Sequence, residues 1–509
     1  VTLLMMNRGA RLVLLASTLA GAGWTTSAAA QTVFRGTVRY EKVLPGKKGL
    51  NLAAPVQRPA AGIRVQILTS PGRGVLGSAF TDSAGAYTIR VDPPVEGAVV
   101  VRALAQTENT RVLRARDRVE WSAASAPFTP GDARTVTRDV LATDSGRVAG
   151  PFNIAMVIGR ANALLRAADP SITLPRLQVR WDTVHTEGTY FNDRDGVAYV
   201  SGLRGSDSDE YDDHVIAHEY GHFLMASFSR DDSPAGEHTS GDQLDPRLAW
   251  SEGWANFFAA VVAGNPAYVD TGAADGRQTV LLEMDMEQDV EPGDHPGIWS
   301  EHAVSSALWD WYDDRQDGAD SLALGFAPLW TALTALRGEP DPYLLRFANA
   351  LAAGTGQRAA IAASLSARGI TYSPGESPSA PEPFPLALES GASVRGEVNS
   401  RRTRRSNLFE SSAHYGFTLD EPRDVTLVLK ITDARDPAHA DLDLLVFDAK
   451  GEPVATSVAV NGVGGAERIS ERLPAGRYRV EVRSWSNAEE SRLNARRANQ
   501  GSYSLTARY

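Results

Sequence analysis

The sequence predicts a multidomain chain with a β-sandwich module first, an α+β domain in the middle and a second β-sandwich at the end. Three observations carry this. Residues 32 to 143 show strand-like alternation, and residues 151 to 370 turn mainly helical. A Pro/Ser-rich stretch, Ser373-Pro374-Gly375-Glu376-Ser377-Pro378-Ser379-Ala380-Pro381-Glu382-Pro383-Phe384-Pro385, then separates the centre from a further alternating region. At about 150 residues per domain, 509 residues allow roughly three. The expected bounds are 1–30 for a signal peptide and 31–148 for the first sandwich. The central domain takes 149–372, the linker 373–387 and the last sandwich 388–509.

In the first region, Val33 to Tyr40 alternates partly and Ile63 to Ile67 cleanly. Ala79 to Val91 reads as two strands around the turn Asp82-Ser83-Ala84-Gly85, and Val99 to Leu104 as another. The order Gly36-Thr37-Val38, then Gly62 to Ile67, then Thr81 to Ile89 resembles carboxypeptidase regulatory-like modules.

Phe152 to Ala167 has an amphipathic pattern, and Leu177 to Trp181 and Val197 to Val200 read as short strands. Helices are expected over 210–228, 301–313, 327–337 and 357–368. Asp245-Pro246 supplies an N-cap with Pro at the first helical position, and that helix ends before Gly264. Asp341-Pro342 carries the same start signal for a helix ending near Gly354. After the linker, Val425 to Ile431, Leu442 to Phe447 and Arg477 to Val482 are the clearest strands. Asp441 to Val446, Leu473 to Val480 and Gly501 to Thr506 resemble the pre-peptidase C-terminal domain, a module at the end of secreted bacterial peptidases.

Composition narrows the function. A formal net charge of −11 argues against a nucleic-acid partner. The absence of cysteine excludes disulfides, thiolate metal ligands and a thiol nucleophile. Arg8 and Arg11, the apolar run Leu12 to Gly21, and Ala28-Ala29-Ala30 have the layout of a secretory signal. The expected location is therefore extracellular or periplasmic, with no membrane partner after signal removal. The sequence leaves the oligomeric state open.

The chemistry centres on His218-Glu219-Tyr220-Gly221-His222. On a helix, positions four apart fall about 40° from eclipse, so both imidazoles leave one face toward a single Zn²⁺. Glu219 then lies about 100° from His218 and about 60° from His222, placed to accept a proton from a metal-bound water. A catalytic zinc needs a third protein ligand and an open position. The downstream histidine of the metzincins is missing, since 225 and 228 are Met225 and Phe228. A glutamate on a second helix is available in Trp250-Ser251-Glu252-Gly253-Trp254-Ala255-Asn256-Phe257-Phe258-Ala259.

His218 to Phe223 together with Ser251 to Ala259 resembles the thermolysin-like gluzincins, nearest the fungalysin type. The resemblance spans about residues 185–315. It implies a zinc endopeptidase acting on protein or peptide, with Glu252 as third ligand. It also implies a ligand-orienting residue at Asn256, where the family usually has Asp. The family's helper histidine falls at Trp299 in the best register, so the proton donor is left among His302, His295 and Tyr312. The resemblance further suggests that Ala198, Tyr199 and Val200 form an edge strand that binds the substrate backbone. Trp250, Trp254, Phe257 and Phe258 are expected to pack the core.

Two acidic runs offer oxygen ligands for Ca²⁺: Asp207, Asp209, Glu210, Asp212 and Asp213, and then Asp285, Glu287, Asp289, Glu291 and Asp294. Solvated loop charge is the preferred reading of both. The rival to the peptidase reading is a catalytically weak, zinc-containing binding or adhesion protein that acts through its β modules. Asn256 and Trp299 feed that view, and Glu219 opposes it.

Overall fold

The computed structural model of the protein describes residues 31–185, 187–236, 238–239, 241–288, 295–315, 321–372, 384–399, 407–438, 440–459, 462–484 and 500–509. The signal-peptide reading of 1–30 and the linker segment 373–383 lie outside these residues, as do Asp289, Glu291 and Asp294. No helix among the described residues is long and apolar enough to cross a membrane. The chain is β-rich, with several separate sheets and a stretch of helices between the first and last β regions of the sequence.

The first β unit is built on Thr32–Lys42, which pairs antiparallel with Ala86–Val91 and parallel with Val140–Ala142. A facing sheet runs Ser122–Ala124, Val99–Leu104, Arg64–Thr69, Val75–Phe80. The strands expected around the Asp82 turn both form, yet they join different sheets. The turn is an Asx turn, in which Asp82 Oδ1 accepts from the Ala84 and Ala86 amides.

The expected division at 148/149 is crossed by a sheet. Thr110–Arg114, from the first unit, pairs in parallel with Leu177–Trp181. Val197–Val200 flanks that strand on its other side, and Tyr190–Asn192 closes the edge. One buried core accordingly runs from Phe34 through the helices to Phe384.

The described helices of the centre are α1 (Ala149–Ala168), α2 (Asp213–Phe228), α3 (Pro246–Ala263), α4 (Glu301–Tyr312), α5 (Phe326–Ala335), α6 (Leu344–Thr355) and α7 (Arg358–Ala367). Asp245 caps α3 through the Arg247 amide, and Gly264 ends it in the left-handed conformation at φ 67°. α3 is buried nearly all round, which fits a helix at the centre of a core. Asp341-Pro342 does not start a helix. Asp341 sits at φ 48° and its carboxylate faces Arg479, while α6 begins only at Leu344.

The C-terminal unit is a two-sheet β structure with its own core. The last linker residues belong to it, because Leu386–Ala387 pairs in parallel with Tyr415–Gly416. This unit grips the start of α3. Asp245 N donates to Asn407 O at 2.8 Å, and Leu244, Leu248 and Ala249 pack with Leu408. A buried charge cluster lies at the same junction. Asp245 meets Arg247 at 2.9 Å and His414 at 3.1 Å, and Arg479 meets Asp341 and Glu481 at 2.8 Å each. Burial alone would raise the Glu481 carboxyl, but His414, Arg483, Arg247 and Arg479 hold it down at about 2. Arg247 and His414 likewise hold Asp245 well below the usual carboxylate range, against the effect of its burial.

A carboxyl depressed in the folded state stabilises fully above its unfolded pKa and loses that contribution as the pH falls through the folded value. The junction's contribution to stability should therefore be constant near neutrality and be lost between about pH 4.5 and about 2. Glu481→Gln should lower the melting temperature at pH 7 and flatten this acid limb. Thermal melts of both proteins across pH check it.

Candidate metal centre and cleft

Two glycines set the geometry. A Cβ at Gly221 on α2 would stand 3.1 Å from the Ala255 Cα of α3. One at Gly253 on α3 would stand 2.5 Å from the Val304 side chain of α4. Without side chains at these points, the three helices approach closely. His218 and His222 on α2 then face Glu252 on α3.

His218 Nε2 lies 3.0 Å from His222 Nε2 and 3.1 Å from Glu252 Oε2. His222 Nε2 lies 3.4 Å from the same carboxylate oxygen. Donors about 2.0–2.1 Å from one tetrahedral ion stand about 3.3–3.4 Å apart, so this set has the dimensions of a zinc site.

The other ring nitrogens agree with that fit. His218 Nδ1 donates to Asn256 Oδ1 at 2.8 Å. His222 Nδ1 donates to Ser251 Oγ at 3.1 Å, and the Ser251 hydroxyl donates in turn to Asp231 Oδ2 at 2.7 Å. With both Nδ1 atoms engaged outward, the two Nε2 atoms are left facing one place, where each can serve as a ligand atom once deprotonated.

Glu219 is buried beside this set and accepts a 2.7 Å hydrogen bond from the Phe191 amide. Burial raises its carboxyl, against the pull of His218 and His222. The donors line a cleft of about 1090 Å³ with Thr189, Tyr190, Phe191, Tyr268 and loop residues that include Arg230, Asp231, Asp232 and His238. The C-terminal unit reaches the same cleft through Lys450, next to Ala449, whose carbonyl accepts from Arg230 Nη1 at 2.6 Å.

The donor candidates read from sequence are elsewhere. His302 is 2% exposed, and its Nε2 lies 3.3 Å from the Asp285 carbonyl oxygen. His295 is exposed, and its carbonyl accepts from Trp299 Nε1. Tyr312 packs on Phe257 and Trp309. None of the three lines the cleft.

His238 does line it. Its Nε2 lies 3.6 Å from Glu252 Oε2 and 3.7 Å from Glu301 Oε2, and its Nδ1 donates to Gly236 O at 3.0 Å. Burial would lower the imidazole, but Glu252 and then Glu301 push it up to about 10. Sequence reasoning missed His238, Glu301, Ser251, Asp231 and Tyr268. His238 sits in a loop without periodicity, and the one available signal was the scarcity of histidine, nine in the chain.

The substrate strand also needs correcting. Ala198, Tyr199 and Val200 are hydrogen-bonded on both sides, to Leu177–Trp181 and to Tyr190–Asn192. The free edge beside the cleft is Tyr190–Asn192. Trp250, Trp254, Phe257 and Phe258 are fully buried.

Residues 165–329 match the family model of the mycolysin C-terminal domain. No curated protein matches the chain. Among solved structures, similar ones include the pre-peptidase C-terminal domain of a collagenase from Bacillus anthracis. It has 11% identity and a TM-score of 0.17, covering 24% of this chain and 91% of that one. The periplasmic g-type lysozyme inhibitor PliG from Aeromonas hydrophila has 17% identity and a TM-score of 0.16, covering 24% of this chain and 93% of that one. The mitogen from Yersinia pseudotuberculosis has 12% identity and a TM-score of 0.15, with coverages of 23% and 83%. The mycolysin match contains every residue of the candidate centre and associates this chain with a peptidase family.

Proposed function

We propose that this protein is an exported zinc endopeptidase of the gluzincin type, with His218, His222 and Glu252 as metal ligands and protein or peptide as substrate. The observation that carries the reading is the convergence of these three donors at 3.0–3.4 Å with Glu219 beside them. The mycolysin match over the same stretch supports it. Export rests on the layout of residues 8–30.

When bound, zinc would polarise the scissile carbonyl and acidify its water. The protein's own groups do the rest. Glu219 takes the water proton and passes it toward the leaving amine, held in orientation by the Phe191 amide. His238, steered by Glu301, donates a hydrogen bond where negative charge develops on the carbonyl oxygen. The Tyr190–Asn192 edge accepts an extended peptide backbone. Asn256 fixes the His218 ring without charge, so the departure from Asp preserves orientation and gives a less basic ligand. Lys450 makes the C-terminal unit part of the cleft rim.

Glu219→Gln should abolish casein hydrolysis while zinc content, measured by mass spectrometry, stays at wild type. Full zinc loading with no cleavage of any peptide library by the wild type would overturn the peptidase reading and favour the binding-protein alternative. His238→Gln should lower kcat by about 10²–10³ with zinc retained, whereas His302→Gln should leave kcat within a few fold. Steady-state kinetics of the two variants separate these donors. Ser251→Ala should weaken zinc by about 10–100-fold in a chelator competition, because His222 loses its outer hydrogen bond.

A further inference from the structure

The C-terminal unit touches the cleft through the tip of one hairpin. Its strands are Leu442–Phe447 and Pro453–Ser457, and the tip reads Asp448-Ala449-Lys450-Gly451-Glu452. Asp448 Oδ1 accepts from the Lys450 amide at 2.8 Å and from the Glu452 amide at 3.0 Å, an Asx turn that closes the tip on itself. Gly451 supplies the left-handed residue of the turn, at φ 82°. The Lys450 backbone is thus fixed, while its side chain is exposed.

The tip is also held against the helical centre. Arg230, just past the end of α2, donates from Nη1 to Ala449 O at 2.6 Å. Its Nε is fixed by Asp232 Oδ2 at 2.7 Å, which accepts in turn from the Asp341 amide at 2.8 Å. A Cβ at Gly451 would stand 3.4 Å from Arg230 Nη2, so the two surfaces are in contact. These contacts put Lys450 on the wall of the cleft that holds His218, His222 and Glu252.

The charges of that cleft are unevenly engaged. Its lining carboxylates are Asp193, Glu219, Asp231, Asp232, Glu252 and Glu301. Glu219 has the Phe191 amide, Asp231 the Ser251 hydroxyl and Asp232 the Arg230 guanidinium. Glu252 has the zinc-site histidines, and Glu301 has His238. Arg230 is occupied by Asp232 and Ala449. The Lys450 ammonium has no ion-pair or hydrogen-bond partner among the described residues. An exposed lysine is ordinary surface in itself. Lys450 differs because its backbone is pinned over a cleft rich in carboxylates.

We propose that Lys450 is a specificity-determining residue that binds the side-chain carboxylate of an Asp or Glu in the bound peptide. The inference rests on the peptidase reading for a peptide as the ligand. The lining carboxylates repel a negative side chain elsewhere in the cleft, so one position along the extended chain, within reach of Lys450, should favour it. The ammonium is a compact charge on a flexible stem, so either acid serves. An exposed pair of this kind changes affinity by about two- to fivefold and is screened by salt. The C-terminal unit would then read the substrate as well as support α3.

The test uses the full-length, zinc-loaded protein carrying Glu219→Gln, so that bound peptides stay intact. Labelled peptides in which a single Glu or a single Lys is moved along an otherwise neutral sequence are titrated by fluorescence anisotropy. At one position, or two adjacent ones, Glu should bind about two- to fivefold tighter than Ala at low salt. That gain should vanish at about 0.5 M NaCl. Adding Lys450→Glu should invert the ratio of affinities for the Glu and Lys peptides at that position. A merely structural role would weaken both peptides and leave the ratio as it was. Lys450→Met, which should remove the preference without inverting it, serves if the charge reversal does not fold. In the active protein the favoured Glu should lower KM and leave kcat unchanged. Absence of a positional effect of Glu, or a ratio unchanged by Lys450→Glu, overturns the proposal. The two failures are distinguishable: wild type still cleaves neutral peptides if this inference alone is wrong, and cleaves none if the peptidase reading is wrong.

Discussion

The close approach of α2, α3 and α4 at Gly221 and Gly253 is the constraint on which the rest of the centre depends. Any side chain at Gly253 would meet Val304, and one at Gly221 would press on the α3 backbone. The apolar remainder of α3 fills the core and fixes its rotation, with Trp250, Trp254, Phe257 and Phe258 all buried. The positions of Glu252 and Asn256 against α2 follow from that rotation, since both lie on one face four residues apart.

The start of α3 is fixed from outside the helical centre. The C-terminal unit supplies Asn407, Leu408, His414 and Arg479 to the junction around Asp245, Arg247 and Asp341. Removing one member of a buried charge cluster leaves its partners uncompensated. The C-terminal unit is thus coupled to the helix that carries Glu252, and through the Ala449–Lys450 turn it also reaches the cleft. In this chain the C-terminal module is part of the support of the candidate centre.

Local signals in the sequence were sufficient for the helices and for the His218-to-His222 motif. α3 has a capping Asp, a first-turn Pro and a terminal Gly, and its bounds came out as read. Spacing four apart placed the histidines, and the family pattern placed Glu252 and Asn256. Long-range pairing was not legible. That Thr110–Arg114 would join Leu177–Trp181, or that Val197–Val200 would be an inner strand, depends on partners that no local pattern names. His238 was hidden for the same reason, in an irregular loop. Asp341-Pro342 failed in the opposite way. The local start signal is real, but Arg479 claims the Asp side chain and the helix begins later.

X-ray absorption at the zinc edge of the full-length protein tests the central claim most directly. The account predicts a first shell of nitrogen and oxygen at about 2.0–2.1 Å, with the outer scattering of two imidazoles, reduced to one imidazole in His222→Ala. A shell without imidazole scattering, or one unchanged by that substitution, would contradict it.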